Sequence, residues 1–85
     1  MELKITKTSA VRLSPHQIAW NTAYSHSGGL SLILVKHLGT SALFLFEGHQ
    51  ALELASEGLD GCTAVWTGRS APNAWEAIGQ LYHSR

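Results

Sequence analysis

The architecture of this chain depends on ELKIT at residues 2–6 and on SPHQ at residues 14–17. In the first segment apolar and polar residues alternate, which is typical of a β-strand, so Glu2 and Lys4 share one strand face. A carboxylate and an ammonium on one face can form a small site, because the carboxylate can bind a hard divalent cation and the ammonium can stabilise a developing negative charge. Such a pattern more often marks a solvated sheet face, so its interpretation depends on the residues that follow.

The second segment has the signals of a helix start. Ser14 suits the N-cap, Pro15 the first helical position and Gln17 the reciprocal position of a capping box. We predict a helix over about residues 15–27, ended at Gly28-Gly29, where a positive φ is favoured. The residues predicted to face inward, by their helical spacing, are Ile18, Ala19, Thr22, Ala23 and His26.

Two apolar segments predict the centre of a sheet. LILV at residues 32–35 is apolar on both faces, which suits a central strand covered on each side. After a turn at residues 39–41, ALFLF at residues 42–46 predicts a second strand, antiparallel to the first in a hairpin. We expect the strand at residues 1–7 to pair beside LILV, with the first helix covering one face of the sheet.

The remaining residues predict two further helices, with a late strand as an open alternative. A short helix is expected over about residues 49–57, ended by Gly58, and the late strand would lie between residues 59 and 68, where Gly61 weakens the pattern. The last helix is predicted to start at a cap on Asn73. Its predicted apolar stripe is Trp75, Ile78, Leu81 and Tyr82. The order β-α-β-β-α-(β)-α predicts a single α/β domain over residues 1–85, a small mixed β-sheet flanked by helices.

The composition predicts one small globular domain without a general affinity for polyanions. The chain has 85 residues, 45% hydrophobic and 14% charged, and six basic residues balance six acidic ones. A net charge of zero gives no long-range attraction to nucleic acid. A DNA contact would therefore need a local basic patch, and Lys7 and Arg12, in the loop after the first strand, are the basic pair near Glu2.

Several other chemistries and compartments are disfavoured by the sequence. It has no G-x-G-x-x-G or Walker loop, and its five histidines lie in different predicted elements without the paired spacing of a metal site. The single cysteine, Cys62, suits a small buried residue and cannot form an intramolecular disulfide. Neither a signal peptide nor an apolar segment long enough to span a membrane is visible, so we expect no membrane partner and a cytoplasmic location.

The order of these segments resembles a known enzyme family. ELKI at residues 2–5, LSPHQIAW at residues 13–20 and GG at residues 28–29 before an apolar strand are similar to the C-terminal part of small phage-type PD-(D/E)xK nucleases, in the VRR-NUC and Holliday-junction-resolvase-like branch. FEG at residues 46–48, Glu53-Leu54 and the closing residues 75–81 fit the same layout, so the resemblance covers nearly the whole chain. It implies a truncated restriction-endonuclease-like core and a phage-encoded protein in the cytoplasm of the host cell.

The resemblance also implies roles for individual residues. Glu2 matches the acidic residue of the (D/E)xK motif, which binds Mg²⁺ or Mn²⁺, and Lys4 matches the lysine that positions or activates the attacking water. Gln17 matches a glutamine of the following helix that is oriented toward the metal and the phosphate. The implied reaction is metal-assisted hydrolysis of DNA phosphodiesters. The residues with implied DNA contacts are Lys7, Arg12 and Ser14.

This sequence departs from the family pattern at the second metal carboxylate. Family members carry an upstream P-D motif that supplies it, whereas here Glu2 follows Met1 directly and the single aspartate, Asp60, does not match. Because Mg²⁺ is usually bound by one or two carboxylates together with phosphate oxygens, we expect the chain alone to be inactive. Two alternatives follow: the chain is half of a split or oligomeric nuclease whose complementary half supplies the aspartate, or it is a non-catalytic remnant that serves in assembly or interaction.

We also expect the chain to be a homo-oligomer, with a two-fold dimer as the first choice. The first strand would be an open sheet edge, which natural proteins usually cover or pair. The aromatic content is generous for a domain of this size, and we expect Trp20, Tyr24 or Trp66 to be buried between subunits. Trp20 and Tyr24 are further predicted to stack on the flank of the first helix.

Overall fold

The computed structural model of the protein describes residues 2–83. Along the chain the elements are β1 (Glu2–Thr6), α1 (Pro15–His26), β2 (Leu32–His37), β3 (Ala42–Glu47), a short 3-10 helix (Gly48–Gln50), α2 (Ala51–Gly61), β4 (Trp66–Gly68) and α3 (Ala71–His83). The predicted α/β class and element order are confirmed, including the late strand, which is β4. Within these residues no helix is both long and apolar enough to cross a membrane.

The strands form one mixed sheet in the order β1-β2-β3-β4, so β1 lies at an edge. β1 runs parallel to β2, with Glu2 opposite Ile33 and Lys4 opposite Val35, and α1 is the crossover between these two strands. β2 and β3 form the predicted antiparallel hairpin, and β3 pairs antiparallel with the short β4. The predicted pairing of the first strand with the central apolar strand is therefore confirmed.

Two apolar clusters lie on opposite faces of the sheet. The α1 face, which α1 and α2 cover, has the buried residues Val11, Ile33, Val35, Phe46, Ala51, Leu54 and Cys62. The α3 face, which α3 covers, has the buried residues Leu32, Leu34, Leu43, Leu45, Ala74 and Ile78. β2 contributes side chains to both clusters, as predicted for a central strand. The predicted burial of the cysteine is also confirmed.

The packing face of α1 differs from the predicted one. The predicted inward residues that are exposed instead are Ala19, Ala23 and His26. Asn21 is completely buried, donates from Nδ2 to the carbonyl oxygen of Gln17 at 2.7 Å, and accepts a hydrogen bond from the hydroxyl of Ser31 just before β2. This buried polar contact turns α1 by about one residue, roughly 100°, from the orientation that apolar spacing predicts.

Of the two glycines predicted to end helices, Gly28 does so, whereas α2 continues past Gly58 to Gly61. Gly28 has a φ of 89°, and the N–H of Gly29 donates to the carbonyl oxygen of Tyr24 at 3.0 Å, which closes α1 with a Schellman motif. Gly58 has a φ of 71°, a backbone conformation that side chains disfavour, and it interrupts the helical geometry of α2 at the predicted position.

α3 starts earlier than predicted, and its packing face keeps Ile78 and Leu81 of the predicted stripe but not the other two residues. Its cap is Ser70 rather than Asn73, because the Ser70 hydroxyl accepts from the Asn73 N–H at 3.5 Å and the Ser70 carbonyl oxygen accepts from the Ala74 N–H at 3.0 Å. Ala74 is buried, whereas Trp75 and Tyr82 of the predicted stripe are 61% and 52% exposed. The small Ala74 side chain lets the helix approach the sheet closely, so the larger Trp75 lies at the margin of the contact.

Candidate functional site

Glu2 and Gln17 meet beside the edge of the sheet. Nε2 of Gln17 donates a hydrogen bond to Oε2 of Glu2 at 3.4 Å, and both residues are half-buried. β1 positions the carboxylate and the first turn of α1 positions the amide. Two of the residues to which the nuclease resemblance assigns roles are therefore in contact, although they are 15 positions apart in the sequence.

The Gln17 amide also forms part of the predicted capping box. Its Oε1 accepts from the Ser14 N–H at 3.0 Å, and the Ser14 hydroxyl accepts from the Gln17 N–H at 3.1 Å. Because the amide oxygen is used by the cap, the amide nitrogen is left to face Glu2. The capping role and the contact with the carboxylate thus come from one conformation of this side chain.

The rotation of α1 is what brings Gln17 to the sheet. Gln17 and Asn21 are four residues apart and so lie on one helix face, and the buried Asn21–Ser31 contact turns that face inward. Gly48 completes the junction, since a Cβ there would lie 2.9 Å from the Asn21 carbonyl oxygen. Apolar periodicity did not identify Asn21 as an inward-facing residue. The sequence signal that could have done so is its spacing of four residues from the capping Gln17.

Lys4 lies on the same strand face as Glu2. Both are half-buried, and their partners on β2, Ile33 and Val35, belong to the cluster under α1 and α2. Lys4 is not a hydrogen-bond partner of Gln17; it faces the loop between β1 and α1. The three residues of the predicted site therefore lie on one face of the sheet, and Glu2 is the one that Gln17 contacts.

A basic cavity follows β1 on this side of the molecule. It has a volume of about 410 Å³ and is lined by β1 and the following loop, with Lys4, Lys7 and Arg12 as its charged residues. These are three of the six basic residues in the chain. Because no acidic residue is among those that line it, the cavity concentrates positive charge within a chain of zero net charge. We call it the cationic pocket.

The loop that shapes the cationic pocket is held by the rest of the fold. The N–H of Leu59 donates to the carbonyl oxygen of Ser9 at 2.7 Å, which ties the loop to the end of α2. A Cβ at Gly58 would lie 2.6 Å from the same Ser9 oxygen, so the close approach requires glycine. At the other end of the loop, exposed Ser14 caps α1 and borders the site.

The described residues do not form a complete magnesium site. Within residues 2–83, no group of three or more His, Cys, Asp or Glu side chains is placed to hold a metal ion. Glu2 offers one carboxylate, while Mg²⁺ needs near-octahedral oxygen coordination. A metal at Glu2 would therefore take its other ligands from water, from a bound phosphate or from outside these residues.

Comparison with known proteins adds no family to this description. No protein-family model, no curated protein and no solved structure matches the chain. The resemblance to PD-(D/E)xK nucleases therefore stays a prediction, and the geometry around Glu2 and the cationic pocket is the basis for any function.

Proposed function

We propose that this chain carries half of a metal-dependent DNA-cleaving site and binds DNA through the cationic pocket. The observation that carries the proposal is the hydrogen bond from Gln17 to Glu2 at 3.4 Å on the strand face that also bears Lys4. The nuclease resemblance implies functional roles for these three residues.

The chemistry of each group suits the proposed role. Glu2 would supply one carboxylate to Mg²⁺ or Mn²⁺, and Gln17 orients that carboxylate. The ammonium of Lys4 can stabilise negative charge on a phosphoryl oxygen. The remaining metal ligands would come from another polypeptide, either a complementary nuclease half or a second copy of the chain.

The cationic pocket supplies the binding part of the proposal. Lys7 and Arg12 stand beside Lys4 without an acidic neighbour in the lining. Lysine and arginine bind nucleic acid by neutralising phosphates and releasing counterions, so the affinity should fall steeply with salt. Because this pocket is next to Glu2 along β1, a bound phosphate backbone would pass the carboxylate.

A binding measurement tests the pocket directly. We expect fluorescence anisotropy to show salt-sensitive binding of a labelled DNA duplex, weakened about tenfold when Lys7→Gln and Arg12→Gln are combined. The control combines Ser56→Glu with Gln80→Glu, which lowers the net charge equally at exposed positions on α2 and α3. An equal loss in the control, or no binding by the wild type at low salt, would contradict DNA binding at this pocket.

A second candidate function is supported by a different observation. Leu3, Ile5 and Trp75 are each more than 60% exposed, at 63%, 62% and 61%, and exposed apolar groups that cluster mark interaction surfaces. A non-catalytic interaction module would use such a surface and would not need the cationic pocket. The DNA-binding measurement separates the two functions. A loss of DNA affinity in the variant with Lys7→Gln and Arg12→Gln, but not in the control, supports the nuclease half.

A further inference from the structure

The α3 face of the sheet is covered over only part of its width. Four strands spaced by about 4.8 Å make a sheet roughly 19 Å wide, and helices pack about 8–10 Å apart, so two helices are needed to cover one face. The α1 face has two, α1 and α2. On the opposite face α3 packs over β3 and β4, which leaves β1 and the adjoining part of β2 without a helix.

A groove lies along this uncovered part, between β1 and α3. It has a volume of about 350 Å³. The exposed apolar side chains of Leu3 and Ile5 form one wall and Trp75 stands on the other. Leu34 and Ala74 lie between them as part of the buried core. We call this cavity the β1–α3 groove.

The charges in the β1–α3 groove lie at one end. Lys36 on β2 lies opposite Ile5 of β1 and opposite Leu43 of β3. Arg69 follows Gly68, which is opposite Leu43, so the two cations belong to the same end of the sheet. The residues that line the groove include these two cations and no acidic side chain. A second copy seated in the groove would bring like charges together, whereas an acidic partner would complement them.

We propose that the β1–α3 groove binds an amphipathic α-helix of a partner protein. The apolar stripe of that helix would cover Leu3, Ile5 and Trp75, and the acidic residues of the helix would lie against Lys36 and Arg69. A helix fits because the uncovered width beside α3 is that of one helix. A C-terminal helix end at the two cations would add a favourable dipole interaction. This interface lies on the opposite sheet face from the Glu2 site and does not depend on the nuclease assignment.

A pair of synthetic peptides tests the charge and the shape of the occupant. The first is an N-capped amphipathic helix of about 15 residues, long enough to be partly helical, with a leucine stripe and glutamates in its last turn. The second has lysines in place of the glutamates. We expect ¹⁵N NMR titration to show saturable shifts at Leu3, Ile5 and the Trp75 indole, with the glutamate peptide bound about tenfold more tightly.

Variants of the protein make the test specific. Ile5→Ser should abolish binding, while Leu52→Ser, at a residue 61% exposed on α2, should leave it intact. Lys36→Glu with Arg69→Glu should reverse the preference between the two peptides. Absence of saturable binding, insensitivity to Ile5→Ser, or an unreversed charge preference would overturn the proposal. Concentration-dependent shifts of the Trp75 indole without peptide, at the wall of the groove that does not belong to β1, would identify a second copy as the occupant and would equally overturn the proposal.

Discussion

Gln17 forms a hydrogen bond with the N-cap backbone and another with a carboxylate on a different element. Oε1 bonds the Ser14 N–H and Nε2 bonds Glu2. A residue that only caps a helix could be replaced by glutamate without loss, since an acidic side chain near a helix N-terminus is favourable. Glutamate at this position would instead place a second carboxylate against Glu2, which makes the two roles separable.

We predict that Gln17→Ala lowers the free energy of unfolding by about 1–2 kcal/mol, because both hydrogen bonds are lost. Gln17→Glu keeps an oxygen that can accept from the Ser14 N–H, so it should cost less stability than Gln17→Ala, although its carboxylate is repelled by Glu2. Combining Gln17→Glu with Glu2→Gln removes this repulsion and should recover most of the wild-type free energy of unfolding. Urea denaturation of the wild type, Gln17→Glu, Glu2→Gln and the double variant gives a double-mutant cycle. Gln80→Ala, at an exposed position on α3, is the control, and additive effects at positions 2 and 17 would contradict the contact.

The thiol of Cys62 should ionise only at a higher pH than an ordinary cysteine thiol. Burial raises the pKa of the Cys62 thiol above its ordinary value, and the nearby Glu53 carboxylate raises that pKa further. Less thiolate is therefore present at a given pH than in the unfolded chain, so the pH profile of alkylation should shift upward on folding. Glu53→Gln should move the profile back toward lower pH, whereas Glu57→Gln on the same helix should not. An unshifted profile for the folded protein would refute this.

At the scale of elements, the junction between α1 and the end of β3 determines where Gln17 lies. The N–H of Gly48 donates to the Ser31 carbonyl oxygen at 2.7 Å, and Ser31 also bonds buried Asn21. This contact has no room for a side chain, because a Cβ at Gly48 would be 2.7 Å from the Ser31 Cβ and 2.9 Å from the Asn21 carbonyl oxygen.

We predict that Gly48→Ala destabilises the protein by about 1–3 kcal/mol, because α1 must move away from the sheet to accept the methyl group. The amide resonances of residues 14–21 should shift with it. Gly79→Ala is the matched control, since nothing lies within 4 Å of a Cβ at Gly79 on α3, and the same change there should stabilise the helix by about 1 kcal/mol. Thermal denaturation and NMR spectra of the two variants decide between these outcomes.

At the scale of the whole molecule, the described residues leave the outer edge of β1 without a neighbouring strand and bring no group of metal ligands to Glu2. No strand among residues 2–83 pairs with the outer side of β1, and these residues contain no group of three metal-ligating side chains of the His, Cys, Asp and Glu types. A partner that pairs with β1 would lie next to Glu2, so strand pairing is one way in which the proposed metal site could gain further ligands.

We predict that the purified chain cleaves DNA little or not at all with Mg²⁺ or Mn²⁺, because Glu2 is a lone carboxylate. Incubation with supercoiled plasmid and gel analysis would measure this. Robust nicking by the pure protein that disappears in Lys4→Ala would contradict the prediction and point to a site completed within a homo-oligomer.

The predicted homodimer is a separate expectation with its own measurement. Trp20 and Tyr24 stack as predicted, with ring centroids 5.2 Å apart, and both are exposed, while Trp66 packs partly against the α3-face core. We expect light scattering at micromolar concentration to show a species larger than the 9.2 kDa chain, because the β1 edge can pair across a two-fold axis. A single species at the chain mass would rule out the dimer.

Local interactions were readable from the sequence by itself. The capping box at Ser14 and Gln17, the glycine ending at Gly28, and the hairpin of β2 and β3 all depend on residues close in sequence or on a strong apolar period. Such signals are set by backbone sterics and by hydrogen bonds within one turn. The α/β class and the strand pairing follow from them, since a strand, a helix and an apolar strand in succession favour a parallel crossover.

Only the tertiary structure determined how the elements face one another. Periodicity identified only part of the packing faces of α1 and α3, because Asn21 is held by Ser31 ten positions away and α3 packs through the small Ala74. These choices depend on contacts between distant residues, which composition and spacing do not encode. Long-range contacts of this kind bring Gln17 to Glu2 and leave part of the α3 face open beside β1.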